Sequence, residues 1–532
     1  MTDTRFDVVI AGGGPVGMWL AAELRRGGVR PAVLEKRASR PPQSKAMTIY
    51  PRTLEQFAMR GIADRWTAEG TPVPTSHFAI LTSRLELDWL DTGFPYTLFL
   101  PQRRTEELIA AHLAELGVPV LRGHTVTGLR QDPDGVSLDV DTPEGRAEFR
   151  AAYAVGCDGA GSAVRAAAGI EWAGEPPSWT SIMGDVELAD PPPGRAATLA
   201  RPGGSIFMVD IRDGRWRVAT IDHATLDDPP GKPVTFRDLR DSVLRLAGTD
   251  FGMRETAGTW LSRVDNETRH AAVYRSGRVL LAGDAAHIHF PAGGQGLNLG
   301  LQDATNLAWK LAATVRGWAP PGLLDTYHTE RSAVAAEVIA DSRAQCALFA
   351  SPTAEGRALR DRFDTLLAAH GDLRRDLALR LSGLAVRYPA GGPGPGDAKG
   401  SGDAKGPGPD DVADSLLGAR VPDLALRGAP APTIFGLLRD AAFVLLSLAP
   451  DPAASLAPGP VSSPGPVSFP VPDGYRDRLR VVTAGLAADR PAPADWDGVR
   501  AVLIRPDGYA AWVLRDGDTP VPSPPLAAWL GS

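Results

Sequence analysis

The sequence predicts an α/β protein: a parallel-sheet core, an inserted and mainly β segment, and a small α/β unit at the C-terminal end. Three observations predict it. Asp7-Val8-Val9-Ile10-Ala11 reads as a buried strand that runs through a glycine-rich turn, Gly12–Gly17, into the helical apolar spacing of Met18–Arg26, and Pro31–Glu35 is a second buried strand. A strand–helix–strand unit of this kind belongs to a parallel sheet. From Ser178 to Val273 the chain alternates like strands broken by turns, as at Ser205–Ile211 and Trp216–Ile221. After a change of composition, apolar runs return at Thr433–Leu448, Leu479–Ala484 and Val499–Leu514.

Further elements follow in chain order. Gly27-Gly28 ends the first helix. Arg103–Leu116 looks helical, Val118–Leu121 and Val136–Val140 look like strands, and Tyr153–Val155 leads into a second glycine-rich turn. Val279–Ala282 is a buried strand, and Leu297–Ala313 and Thr326–Ile339 are helices. Gly391–Pro409 is nearly all Gly, Pro, Asp, Ala and Lys, so residues 391–410 are expected to be a flexible linker or loop. Pro450–Pro472 is a second Pro/Ser-rich stretch.

Bulk properties narrow the function. A chain of 532 residues can hold several domains and a large core. Its net charge of −7 argues against nucleic acid or an anionic membrane as partner. Cys157 and Cys346 are far apart and form no CxxC, which argues against a disulfide framework or a zinc site. Neither a signal-peptide pattern nor an apolar run of about 18 residues is present, so the cytoplasm is the expected location. A monomer or homodimer is expected.

Three motifs carry chemistry. Gly12-Gly13-Gly14-Pro15-Val16-Gly17 is a GxGxxG between strand and helix, as a Rossmann-like dinucleotide site requires. Gly12 permits the turn, Gly14 lets a pyrophosphate approach the helix N-terminus, and Gly17 allows close helix–strand packing. Glu35, at the end of the next strand and followed by Lys36, has the spacing of a ribose-binding carboxylate. The second motif is Gly283-Asp284-Ala285-Ala286-His287, followed by Pro291-Ala292-Gly293-Gly294-Gln295-Gly296-Leu297-Asn298. Asp284 can accept hydrogen bonds from a sugar-alcohol chain, and the start of the Leu297 helix can stabilise negative charge on a reduced ring. The third is Gly156-Cys157-Asp158-Gly159-Ala160-Gly161, with Ser162 as cap of a short helix. Read alone, that Asp-Gly is equally an ordinary turn.

Together these motifs resemble the single-component flavoprotein aromatic hydroxylases, the group whose type member acts on p-hydroxybenzoate. The likeness is closest to the longer bacterial members that tailor aromatic polyketides. It covers residues 5–390 through specific motifs. It covers the C-terminus through Gly418-Ala419-Arg420-Val421-Pro422 and Arg505-Pro506-Asp507-Gly508-Tyr509-Ala510-Ala511-Trp512, similar to the thioredoxin-like extra domain of the long members. The resemblance implies an FAD-binding domain at 1–75, 101–177 and 276–390, a substrate domain at 76–100 and 178–275, and a thioredoxin-like domain at 411–532. It implies FAD as cofactor, with NADPH or NADH as transient reductant. It also implies oxygen transfer from a C4a-hydroperoxyflavin to a bulky aromatic ring.

Residue roles follow from the same likeness. Ile49-Tyr50-Pro51-Arg52-Thr53-Leu54-Glu55 is similar to the segment in which an Arg stands beside the flavin, making Arg52 the candidate catalytic residue; the alternative is a helix-start Arg paired with Glu55. Gln102 and Arg103 occupy a position that contacts FAD, or else open a helix as a solvated pair. Asp158 and Asp284 are the Asp of the two Asp-containing motifs, and Pro291 matches a proline at the flavin edge. Phe207 and Trp216 are candidate substrate contacts or core aromatics. His287 and His289 lack a third ligand nearby, so no metal is expected. Two alternatives stay open: a Baeyer–Villiger oxygenase of the same fold, acting on a polycyclic ketone, and a non-catalytic FAD-binding scaffold.

Overall fold

The computed structural model describes residues 5–43, 45–212, 214–389, 392, 414–449, 467, 469, 473–487, 492–518 and 524–531. The expected linker at 391–410, Gly392 apart, and most of 450–472 lie outside the described residues.

The largest sheet has eight strands. Its centre is parallel: Arg5–Ala11 pairs with Pro31–Glu35 on one side and Gly145–Gly156 on the other, flanked by Val120–Arg122 and Val279–Leu281. The chain leaves Arg5–Ala11 in one direction and returns on the other side of it. That is a topological switch point, where loops at the carboxyl ends of adjacent strands diverge and leave a crevice. The glycine turns after Ala11 and after Gly156 are those loops. A hairpin, Thr125–Asp132 and Gly135–Thr142, extends the sheet antiparallel onto Gly145–Gly156. The helix Pro15–Arg26 buries Met18, Trp19, Leu20 and Leu24 against the sheet and the helix Gly296–Val315. The expected Leu297–Ala313 helix is thus present, and the expected Thr326–Ile339 helix continues to Phe349. Two further helices, Ala354–Ala369 and Gly371–Ser382, follow.

A six-stranded antiparallel sheet forms the inserted part, with Thr180–Leu188, Ala196–Arg201, Gly204–Asp210 and Arg215–Asp222 as its main strands. The helix Phe236–Ala247 covers one face; it begins at a Thr235/Asp238 capping box and ends at left-handed Gly248. Strand side chains alternate between faces. Ile182, Val186, Ile206, Met208, Trp216 and Val218 pack on that helix through Leu239, Val243 and Leu246. Ser181, Met183, Ser205, Phe207, Arg217, Ala219 and Ile221 therefore face the other way. Trp216 is a core residue, and its expected role as a substrate contact is corrected: it has the phase of Val218, opposite to that of Arg217 and Ala219.

The C-terminal sheet runs Leu426–Arg427, Leu479–Leu486, Phe443–Leu448, Val499–Ile504, Ala510–Arg515, with a parallel central pair and antiparallel neighbours. Both faces of the central strand Phe443–Leu448 are buried, which explains the uninterrupted run Phe443-Val444-Leu445-Leu446. Val444 and Leu446 pack with Ile434, Leu437 and Met59, whereas Phe443 and Leu445 pack with Trp309, Leu323 and Trp529. The unit is therefore fused to the parallel-sheet part. No helix among the described residues is long and apolar enough to cross a membrane.

Candidate active site

A continuous cavity of about 970 Å³ runs from the crevice at the switch point to the open face of the six-stranded sheet. Its first end is made of the three motifs. Gly12, at φ +108°, lies so close to the third motif that a Cβ would sit 2.2 Å from the Cys157 carbonyl oxygen. Gly17 backs the same turn: its Cβ would stand 2.1 Å from the Gly12 oxygen. Gly17 is therefore a packing glycine behind the cavity wall, while Gly12, Gly14, Pro15 and Val16 form the wall. A Cβ on Gly14, Gly159 or Gly161 would meet nothing within 4 Å, and all three line the cavity. That open space beside backbone amides is a cradle for phosphates.

Glu35 and Lys36 line the cavity beside it. The Glu35 carboxylate accepts from the Gly13 and Arg37 amides, each at 2.8 Å, which fixes it while leaving lone pairs for a ribose hydroxyl. Gln102 opens the helix Gln102–Glu115 and lines the cavity, with its side chain bonded to the Ala46 amide and to Glu106. Arg103 points away and pairs with Glu107 at 3.3 Å, so the structure does not bring it to the cavity. Consecutive residues on a helix face different directions, and only Gln102 has the inward phase.

The third motif is locked by its own aspartate. Asp158 accepts from Ser162 Oγ at 2.5 Å and from the Ala163 amide at 2.8 Å, and Ser162 in turn caps the helix through the Arg165 amide. Arg165 stacks over Trp172 and donates to the Ala160 and Ala285 carbonyls, tying the third motif to the second. Asp158 lines the cavity, but most of its hydrogen-bonding capacity holds this turn.

In the second motif, Asp284 projects into the cavity, its side chain exposed there although its neighbours Gly283, Ala285 and Ala286 are buried. Desolvation raises its carboxyl pKa, against the opposing pull of His287 and Lys45. The neighbouring His287 points backwards to Asp303 (2.6 Å), which also accepts from Arg331 (2.7 Å) and from the Gly283 amide (3.2 Å). Burial alone would raise the Asp303 pKa; the charges of Arg331 and His287 hold it below the ordinary value. This buried set fixes the turn bearing Asp284 on the helix Gly296–Val315. Pro291, Gly294, Gly296 and Leu297 line the cavity at the N-terminal end of that helix, where its unpaired amides and dipole favour negative charge. Asn298 does not reach the cavity. It clamps the 48–50 segment, donating to the Thr48 carbonyl (3.0 Å) and accepting from the Tyr50 amide (2.8 Å). It is a positioning residue.

Arg52 is corrected outright. It is fully buried outside the cavity, paired with Glu55 at 2.8 Å, bonded to the Asp507 carbonyl at 2.7 Å, and stacked 4.5 Å from the Tyr509 ring centroid. The helix Pro51–Met59 turns this side chain toward the C-terminal unit and away from the cavity, so Arg52 takes the alternative role of a helix-start Arg paired with Glu55.

At the other end, Phe207 joins Met183, Ile221, Phe290 and Phe349 in an apolar wall. Arg217, which sequence reasoning missed, also lines this end; it is held by a bidentate pair with Asp185, its cross-strand neighbour, and donates to the Lys45 carbonyl. Its phase, opposite to that of Trp216, was the available signal.

The residues present fit an FAD: a cradle that a Cβ would fill, a fixed carboxylate for a ribose, a second carboxylate for a ribityl chain, and a positive helix end for the ring. Residues 5–342 match the family described as FAD binding domain, and residues 414–532 match that described as aromatic-ring hydroxylase, C-terminal. The chain belongs to the FAD-binding aromatic-ring hydroxylases. It is 40% identical over 548 residues to the 12-dehydrotetracycline 5-monooxygenase/anhydrotetracycline 6-monooxygenase of Streptomyces rimosus, covering 99% of both chains. The solved anhydrotetracycline hydroxylase OxyS of Streptomyces rimosus superposes with a TM-score of 0.83 at 40% identity, covering 99% of each chain. A dialkyldecalin synthase of Streptomyces rugosporus, 35% identical over 519 residues and covering 96% of both, shares the family. This hydroxylase is an FAD-dependent monooxygenase, with NAD(P)H as reductant.

Proposed function

We propose that the enzyme hydroxylates a bulky polycyclic phenol of the aromatic polyketide type. The observation that carries this is the continuity of the cavity: Asp284 and the Gly296 helix end share one space with Phe207 and the open face of the β-sheet. Segments 1–75, 101–177 and 276–390 then supply the cofactor end and 76–100 and 178–275 the substrate end, to which Phe290 and Phe349 of the third cofactor segment also contribute. The anhydrotetracycline-acting relatives, aligned along almost the whole chain, support a polycyclic phenol.

When bound, FAD takes reducing equivalents from NAD(P)H and activates O₂ for transfer of one oxygen atom. The chain's own residues do the rest. Gly14, Gly159 and Gly161 leave room for the phosphates, Glu35 and Asp284 accept sugar hydroxyls, and Pro291–Leu297 presents positive potential to the ring. Met183, Phe207, Ile221, Phe290 and Phe349 give a ring system an apolar wall that displaces water from the reacting end.

The test is NADPH oxidation by the FAD-loaded enzyme under ¹⁸O₂, with anhydrotetracycline and 1,8-dihydroxyanthraquinone. Ring-stimulated oxidation with one ¹⁸O in a new phenol is expected. A labelled lactone instead would establish the Baeyer–Villiger alternative. A product isomeric with its substrate, or no response to either ring, would end the hydroxylase assignment.

A further inference from the structure

The strand Thr75–His77 pairs with Arg84–Glu86, and the turn between them is unusual. Ala79 and Ile80 are both left-handed, at φ 51° and 52°, a conformation costly for any side chain and most of all for β-branched Ile80. Residues far along the chain impose it. Gln345 accepts from the Ala79 amide at 3.0 Å. The Arg360 guanidinium donates to the Ala79, Ile80 and Leu348 carbonyls at 2.8, 2.6 and 3.3 Å. Asp364 accepts from the Thr82 and Ser83 amides.

The forced turn aims the Ile80 amide at His77 Nδ1, 3.3 Å away. A donor can only meet a lone pair, so Nδ1 is unprotonated and the ring's proton sits on Nε2. Burial, with the charges of Arg84 and Arg360, pushes the His77 pKa down to about 4, so the ring is neutral at physiological pH. His77 lines the cavity, edge-on to Phe207 at 6.2 Å between ring centroids. No acceptor among the described residues is bonded to Nε2. Arg84 lines the same cavity and is held by Thr198 Oγ1 at 2.5 Å. The countercharges near these two arginines are Asp364 and, beside Arg360, Asp361. His77 is thus a fixed N–H donor beside the aromatic wall, with Arg84 the cation that shares the cavity with it.

We propose that His77 anchors a ring oxygen of the substrate, its Nε2–H donating to a phenolate or enolate oxygen whose negative charge Arg84, lining the same cavity, stabilises. This rests on the reading above that the substrate is a polycyclic phenol. An ionised oxygen on the ring raises its electron density and suits it to accept electrophilic oxygen. The anchor therefore selects phenols with an acidic hydroxyl over their ethers and fixes which edge of the ring faces the cofactor.

The test uses FAD-loaded enzyme without NADPH, titrated with 1,8-dihydroxyanthraquinone or its dimethyl ether while the flavin absorbance is followed. Wild type is expected to bind the phenol more tightly than the ether. His77→Phe, which keeps a ring but removes the donor, should weaken phenol binding about tenfold, as loss of a bond to a charged partner implies, and leave ether binding unchanged. His77→Gln, whose side-chain amide restores an N–H near the Nε2 position, should recover most of the loss. Equal weakening of phenol and ether, or phenol binding by His77→Phe as tight as by wild type, overturns the anchor. Wild type that binds the phenol through His77 yet adds no oxygen to it leaves the anchor standing and sinks the hydroxylase reading; wild type that binds neither compound sinks both.

Discussion

Exchanging single glycines in the first turn separates folding from cofactor capture. Gly14 has an ordinary extended conformation, φ −75° and ψ −179°, and a Cβ there meets nothing within 4 Å. In Gly14→Ala, the reduced freedom of the unfolded chain stabilises by about 0.4–1 kcal/mol, offset by alanine's poorer fit at a helix N-cap. Apoprotein stability should therefore hardly move. The new methyl instead occupies the space through which phosphate oxygens approach the amides. Loss of one charge-assisted hydrogen bond costs about 1.5–3 kcal/mol, roughly a 10- to 100-fold weaker FAD complex. Gly17→Ala should behave in the opposite way. Its Cβ would stand 2.1 Å from the Gly12 oxygen and 3.2 Å from Cys157 Cβ, forcing the turn off the strand. Overpacking of this kind costs about 1–3 kcal/mol of stability. Urea unfolding of the apoproteins and fluorescence titration with FAD measure the two effects separately. A Gly14→Ala protein that binds FAD as tightly as wild type would refute the placement of the phosphates.

Asp284→Asn should weaken FAD binding and stabilise the apoprotein only slightly, because the carboxylate is exposed within the cavity and water offsets most of its desolvation. A carboxyl with a raised folded pKa binds protons more tightly when folded, so its penalty grows as pH rises above the unfolded value of 3.8, and the amide removes it. Urea midpoints of the two apoproteins at pH 7 check this, and a lower midpoint for the variant would count against it. Arg505→Met should destabilise by about 3–5 kcal/mol, because Arg505 and Lys310 balance Glu330 and Asp507 in a buried set and its removal leaves an excess negative charge. Despite burial, Arg505 and Lys310 pull the Glu330 pKa to about 2, so its contribution is full above its ordinary value near 4.5 and fades as pH falls toward 2; the gap between wild type and variant should close over that range in acid denaturation. Arg52→Met should lose stability by a similar mechanism, while turnover per bound FAD stays near wild type; a collapse in turnover of the loaded enzyme would return Arg52 to the chemistry.

The parts of the site that are local in sequence were legible. Strand, glycine turn and helix follow one another at residues 7–26, and their chemistry is set by neighbours a few positions away. Phe207 and Trp216 were half legible: their alternation separates the faces, but only the helix Phe236–Ala247 says which face is covered. The pairing of Arg52 with Glu55, three positions on, was legible as the alternative role, but its other partners, Asp507 and Tyr509, lie more than 450 positions along the chain, and no local pattern announces them. Asn298 stands in a motif aimed at the cofactor, yet its amide serves the 48–50 backbone. The strained turn at Ala79-Ile80 was invisible, since neither residue type favours positive φ and the restraint comes from Gln345 and Arg360.

The turn Arg505–Tyr509 is wedged against Arg52, Asn306, Trp309 and Glu330, and so braces the helix whose first residues border the cavity. It also follows Glu330 by 175 positions, so the helices carrying Lys310 and Glu330 stay electrostatically unfinished in any chain that stops short of Arg505. A truncation before Arg505 that spares every motif at 12–17, 156–161 and 283–298 should therefore still give colourless protein.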